Sequence, residues 1–277
     1  MSKALIYGVV YSVKDPAGSG VARKLIAMLN PSKCDVCKDA VECFCGENFV
    51  IAGFNEDVIY FDFLDNVLNV DKYIVLSRHS SAAKIKSYTV HHTGNPGPEA
   101  LYGGRPRKLA IASPATTYTL LKTLYTVAKK HGRIDEYEIS YEATHHGPTD
   151  LEKPLCFIEI GSTEEEWRQE INHVVLAETV KYLLENNEYE CIPVIGIGGG
   201  HYPRKHTKIA LETKYCYGHI FAKYALDYLD EEILVQAMER SSPKPKGFIV
   251  EKKGTKKKHR DLVENIAKQL GLFVEYV

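Results

Sequence analysis

Residues 155–175, LCFIEIGSTEEEWRQEINHVV, pass from a continuously apolar run into a helix start. Leu155 to Gly161 has the unbroken hydrophobicity of a central strand covered on both faces. Ser162-x-x-Glu165 and Thr163-x-x-Glu166 are overlapping capping boxes, and Trp167, Ile171, Val174 and Val175 follow at helical spacing. One strand-to-helix unit is therefore written into twenty-one residues.

The same grammar extends outward. Residues 3–13, KALIYGVVYSV, predict a buried first strand; Pro16 to Gly20 predict a breaker before a helix from Val21 to Leu29. Strands are expected at VIYF 58–61, YIVLS 73–77, SYTVHH 87–92, LAIAS 109–113, YEISYEA 137–143 and IPVIGIG 192–198. Pro114 to Lys130, ending before Gly132, reads as a helix with Leu120, Leu121, Leu124 and Val127 on one stripe. Such alternation argues for an α/β fold: a single domain over 1–277 with one mostly parallel or mixed sheet flanked by helices. Only the loop 241–247, SSPKPKG, could set off a basic C-terminal segment, 241–277, within it.

Composition excludes several classes. Of 277 residues, 44% are apolar and 26% charged, as in an ordinary globular chain. No apolar run is long enough to span a bilayer, and the start lacks a basic region with a cleavage site, so a cytoplasmic protein is expected. Net charge is −1, but Lys244 to Arg260 holds eight Lys/Arg against Glu251. Such a cluster reads as a solvated loop or as a contact to a phosphate backbone. Seven cysteines, an odd number poorly spread for a secreted framework, suit a reducing compartment. Cys34, Cys37, Cys43 and Cys45, C-x2-C-x5-C-x-C, could clip a structural metal, form local disulfides or stay free.

Histidines mark the candidate site. Four segments follow strand-like runs: Arg78-His79-Ser80, His91-His92-Thr93, Thr144-His145-His146-Gly147 and Gly200-His201-Tyr202. Strand C-terminal ends share one edge of an α/β sheet, where ligands bind, so these loops can converge. His92, His145, His146 and His201 are the functional set, whereas His131, His173, His219 and His259 read as hydrogen-bonded structural residues. Glu159 lies inside an apolar strand and needs a partner or a metal; Glu142 reads first as a supporting or surface residue. The loop Gly196 to Lys205 could present an anion nest at Gly198, Gly199 and Gly200 beside Arg204 and Lys205, although Pro203 argues against a helix directly after it. Serine-elbow, P-loop and H-E-x-x-H signatures are missing, which leaves hydrolysis by metal-activated water, or a His base with amide oxyanion donors.

TVHHTGN at 89–95, EATHHGPT at 142–149, EIGSTEEEW at 159–167 and GIGGGHYPRK at 196–205 together resemble the archaeal and plant type of D-aminoacyl-tRNA deacylase. The resemblance implies a zinc-dependent hydrolase, with one or two Zn2+, that cleaves the ester of D-aminoacyl-tRNA at the acceptor end. It also implies a cytoplasmic monomer with a phosphorylase/peptidyl-tRNA hydrolase-like fold, acting on tRNA and not on DNA. The family's motifs fall on His91, His92, His145, His146, His201, Glu159 and Gly198 to Gly200; from these the expected metal set is His145, His146, His201 and Glu159, with His92 and His146 catalytic and Gly198, Gly199, Gly200, Arg204 and Lys205 near the tRNA end. Another metal-dependent ester or amide hydrolase, or a non-catalytic zinc-containing RNA-binding protein, are the alternatives.

Overall fold

The structure is a computed structural model and describes residues 5–277; Lys3 and Ala4 of the expected first strand lie outside it. In chain order the elements begin β1 Tyr7–Ser12, α1 Pro16–Leu29, β2 Ser32–Lys33, β3 Glu42–Cys45, β4 Phe49–Phe54, α2 Leu64–Val67, β5 Lys72–Ser80 and β6 Ser87–His91. Next come β7 Gly94–Asn95, β8 Lys108–Leu109, α3 Pro114–Lys130, β9 Glu138–Tyr141, β10 Leu155–Ser162, α4 Glu164–Arg168 and α5 Glu170–Glu185. The chain closes with β11 Ile192–Ile197, α6 Arg204–Glu212, β12 Tyr215–Phe221, α7 Glu231–Glu239, β13 Gly247–Val250, α8 Lys257–Leu270 and β14 Phe273–Tyr276.

A mixed eight-stranded sheet runs β2-β3-β4-β1-β5-β10-β6-β9, with β4, β1, β5 and β10 parallel at its centre. The apolar runs are continuous because both faces are covered. Val9, Tyr11, Ile74, Leu76, Ile158 and Ile160 face the layer of α1, α3 and α5, while Val10, Val75 and Phe157 face Phe54, Phe61, Leu64 and Leu68. VIYF 58–61, expected as a strand, lies in a 3-10 segment, Val58–Phe63, whose apolar side chains cover that second face.

The single sheet expected from the alternation is divided. β11 pairs with β12 and β13 in a separate parallel sheet, β12-β11-β13-β14, whose core joins Ile195, Ile197, Phe221, Phe248 and Val250 to α7 and α8. Within the basic C-terminal segment, β13 and β14 join this sheet, while Lys252, Lys253, Lys256, Lys257 and Lys258 stay exposed. Of the expected strand 109–113, Leu109 pairs with Gly94 in β7 and Ala112 makes an isolated bridge to Ser241.

Two breakers proved to be helix starts. Asp15 caps α1 by accepting from the Ala17 N–H at 2.9 Å, with Pro16 in the first turn where a missing N–H costs nothing. The glycines inside α1 serve packing: a Cβ on Gly20 would fall 2.3 Å from the His173 ring of α5. Similarly, α6 begins directly after Pro203, whose missing N–H and restricted φ are tolerated at a helix start. The capping box at Thr163 forms, the Glu166 carboxylate accepting from the Thr163 N–H at 3.0 Å. Gln169, with extended backbone, then divides the expected helix into α4 and α5.

Disulfides join Cys34 to Cys45, Cys37 to Cys43, and Cys191 to Cys216, leaving Cys156 free and buried; of the three outcomes open to the cysteine cluster, the structure has local disulfides. Cys191 and Cys216 meet because β11 and β12 pair side by side.

Candidate active site

Histidines and two glutamates from five separate segments meet in a cleft of about 640 Å³. β5 delivers His79 near its C-terminal end and β10 delivers Glu159 from its interior; β6 ends on His91. The turn after β9 carries Glu142, His145 and His146, held in place where the Ala143 N–H donates to His201 O at 2.9 Å and the Thr144 N–H to Ile220 O at 2.8 Å. His146 adopts φ 42°, a strained left-handed backbone of the kind found at functional turns.

Glu142 is the hub. Its carboxylate lies 3.0 Å from His79 Nδ1, 2.9 Å from His201 Nε2 and 3.5 Å from His145 Nε2. Glu159 is 3.5 Å from both His79 Nδ1 and His91 Nε2. The outer imidazole nitrogens are occupied: Nδ1–H of His145, His146 and His91 donates to the carbonyls of Ala143, Gly147 and His92 at 2.8, 2.6 and 3.2 Å. This fixes the tautomer and turns each Nε2 lone pair into the cleft, as the supporting bonds of metal-ligating histidines do.

Electrostatics follow from that enclosure. Burial, reinforced by neighbouring imidazoles, holds His145 well below the usual histidine range and His146 down to about 4. Burial also opposes a charge on His79, but hydrogen bonds and charge from Glu142 and Glu159 outweigh it and lift the group to about 11. Against their own desolvation, Glu159 is pulled to about 2 by His79 and His91, and Glu142 falls well below its usual range through His201 and His79. Two carboxylates are ionised at the floor of the site.

These residues fit a cation. His91 Nε2 and both carboxylate oxygens of Glu142 are fully buried without an aligned hydrogen bond, although nitrogens lie within 3.5 Å, so the donors surround common points instead of pairing with one another. His91, His145 and His146 form one three-donor group; His79, Glu142 and His201 form another; His91, Glu142 and Glu159 link them. Imidazole nitrogens with carboxylate oxygens suit zinc.

The expected residues divide accordingly. His145, His146, His201 and Glu159 share the cleft but not one ligand set, because His201 groups with His79 and Glu142. His92 does not join them. It is the strand neighbour of His91 and points to the opposite face, its Nδ1–H donating to Gly218 O at 2.6 Å and its Nε2 accepting from the Ser113 N–H at 3.0 Å. With both nitrogens engaged and burial lowering it to about 4, His92 is structural. We expect His92→Ala to cost about 2 kcal/mol or more by stranding those buried partners, with metal stoichiometry retained; equal melting temperatures with lost metal would reverse the assignment. Sequence reasoning missed Glu142 and His79 as site residues, and weighted His92 above His91. Strand alternation could have separated that pair, since Thr89 and His91 share a face and Thr89 pairs with Glu159.

The glycine loop forms a tight turn in which the Gly198 N–H is already engaged. Gly198 and Gly199 take φ 99° and 92°, the Gly198 N–H donates to Phe221 O at 2.8 Å, and the Glu251 side chain packs against both glycines. Its effect is to swing His201 onto Glu142. Arg204 is spent on Glu138 in a two-pronged ion pair at 2.7 and 2.6 Å, whereas Lys205 is exposed. His173, His219 and His259 are structural as expected, bonded to Trp167 O, Ala110 O and Asp227 respectively, and His131 caps α3.

The family model for D-aminoacyl-tRNA deacylase matches residues 67–275. A D-aminoacyl-tRNA deacylase of Staphylothermus marinus is 61% identical over 274 residues, covering 98% of this chain and 99% of that protein. One from Desulfurococcus amylolyticus is 57% identical over 272 residues, with coverage of 98% and 99%. The crystal structure of AF0625, described as a conserved protein of unknown function, superposes with a TM-score of 0.91 at 32% identity, covering 99% of this chain and 96% of that one. The chain belongs to the D-aminoacyl-tRNA deacylase family.

Proposed function

We propose that the histidine–glutamate cleft is the centre at which this deacylase hydrolyses the ester of D-aminoacyl-tRNA, with one or two zinc ions held by His79, His91, Glu142, His145, His146, Glu159 and His201. Bound zinc would supply a lowered pKa for water, towards about 7, and would polarise the ester carbonyl. The observation that carries the reading is the buried, unpartnered His91 Nε2 and Glu142 carboxylate oxygens, among imidazoles and carboxylates grouped around common points. The chain's own residues do the rest: backbone carbonyls orient His91, His145 and His146, and ionised Glu142 and Glu159 supply the negative charge that a divalent ion requires.

The acceptor end of tRNA would enter where positive charge meets this cleft. Gly254, in the basic turn Lys252–Gly254, packs against Gly198, Gly199 and Lys223, which brings the C-terminal cations beside the loop that carries His201. Tyr102 and Tyr224 are exposed at the rim and offer faces for an unstacked base. Recognition is then by phosphate, shape and stacking, in a cytoplasmic monomer that acts on tRNA and not on DNA. Among the described residues no helix is long and apolar enough to cross a membrane.

The deciding assay uses D-tyrosyl-tRNA and L-tyrosyl-tRNA with zinc-loaded and chelator-stripped protein. We expect the D-ester alone to be cleaved, only by the loaded form; equal rates after stripping would remove the metal from the mechanism. Lys252→Ala with Lys253→Ala should raise KM for charged tRNA and lessen its salt dependence by a slope of about 2 with kcat unchanged. Unaltered salt dependence would move the RNA path elsewhere.

A further inference from the structure

A second sulfur-rich site lies away from the cleft. Cys34 follows β2, Cys43 and Cys45 belong to β3, and Cys37 lies on the turn between them, at the edge of the eight-stranded sheet. Between β3 and β5, which carries His79, stand β4 and β1, a separation on the order of 14 Å. The two clusters share no residue.

The two disulfides here converge. Cys34 Sγ lies 3.4 Å from Cys43 Sγ although these atoms belong to different S–S bonds, and one ligand atom from each of Cys34, Cys43 and Cys45 falls within 4.8 Å of the others. Cys37, bonded to Cys43, is a fourth sulfur beside this group of three. A disulfide requires only two sulfurs in contact, as Cys191 and Cys216 show with no third donor grouped beside them. Two nested bridges of separation 11 and 6 also constrain largely the same short loop, so the second adds little beyond the first. Four thiolates around one zinc, each about 2.3 Å from the ion, sit roughly 3.8 Å from one another, the scale on which Cys34, Cys43 and Cys45 are already grouped.

The hairpin needs a staple. β2 has two residues and both are exposed, Val36 and Val41 are largely exposed, and within the turn only Cys37 and the neighbouring Cys43 are buried. Only Ser32–Cys45, Lys33–Phe44 and the Cys34 N–H donating to Cys43 O at 3.1 Å tie β2 to β3, which itself pairs with β4.

We propose that Cys34, Cys37, Cys43 and Cys45, once reduced, form a closed four-thiolate site for a divalent cation of the zinc class. Reduction breaks both S–S bonds with four electrons and four protons from a thiol reductant, which is oxidised to its disulfide. As the cation binds, the four thiols release their protons to solvent. The site is structural, since four protein ligands leave no open position for substrate. It holds the edge of the sheet, and its metal adds to any count made for the histidine centre.

The test is titration of reduced, metal-stripped full-length protein with Co2+ under anaerobic conditions. Thiolate-to-cobalt charge-transfer absorption in the near ultraviolet is expected, lost in Cys34→Ser/Cys37→Ser and retained in Cys191→Ser/Cys216→Ser; the first variant should also bind one zinc fewer per chain. No such band in the reduced wild type, or a band indifferent to Cys34 and Cys37, overturns the proposal. Should the first variant not fold, wild type decides: the band must appear on reduction and be absent from the oxidised protein, and equal spectra refute the site. Because imidazole and carboxylate ligands produce no thiolate band, this outcome is independent of the histidine cleft.

Discussion

Glu142→Gln lowers kcat/KM on D-aminoacyl-tRNA by about a thousandfold, close to 4 kcal/mol of transition-state stabilisation. The side chain is fully enclosed and its oxygens lie within 3.5 Å of nitrogens on His79, His145 and His201. Glutamine keeps the shape but removes the charge that a divalent ion requires, and its amide turns a donor towards the imidazoles. Zinc content should fall in parallel, most strongly in the group His79, Glu142 and His201. Part of the loss will appear as stability, because His79 keeps only Glu159 to balance its charge; removing one member of a buried ion pair costs about 3–5 kcal/mol. Measuring kcat/KM, metal content and melting temperature together separates the effects. A variant with full zinc and wild-type turnover would displace Glu142 from the centre.

Gly18→Ala lowers stability by about 3 kcal/mol or more, because overpacking against backbone cannot be relieved by rotamer change. A Cβ at Gly18 would lie 2.4 Å from Leu76 O and 3.4 Å from Tyr11 Cβ, so α1 would have to lift off β5. That lift would travel to the site, since Asp15, which caps α1, also accepts from the Arg78 N–H at 2.8 Å, next to His79. Gly132 is the control: nothing lies within 4 Å of its Cβ position, and only its φ of 65° penalises alanine, by about 1–2 kcal/mol. Denaturant midpoints for both variants test the ordering; equal losses would show that helix propensity, not the contact with β5, governs position 18.

Local order was readable wherever the signal is local. The capping box at Thr163, the stripe on Pro114 to Lys130, and apolar runs such as LCFIEIG needed no knowledge of the remaining chain, because caps, helical stripes and two-sided burial act over a few residues. Errors came where a local signal has two outcomes. Asp15-Pro16 stops one element and starts another, and an apolar run such as VIYF covers a sheet as readily as it joins one.

The sequence by itself determined the α/β class, the family motifs and the histidine-rich loops, since each is carried by residue type and short spacing. Only the tertiary structure decided that Glu142 is the hub, that His91 faces the cleft while His92 braces the backbone of Gly218 and Ser113, and that Arg204 is neutralised by Glu138. Those outcomes depend on strand pairing and side-chain direction between segments many residues apart. A charge or an imidazole has no function until its neighbours are chosen, and folding chooses them.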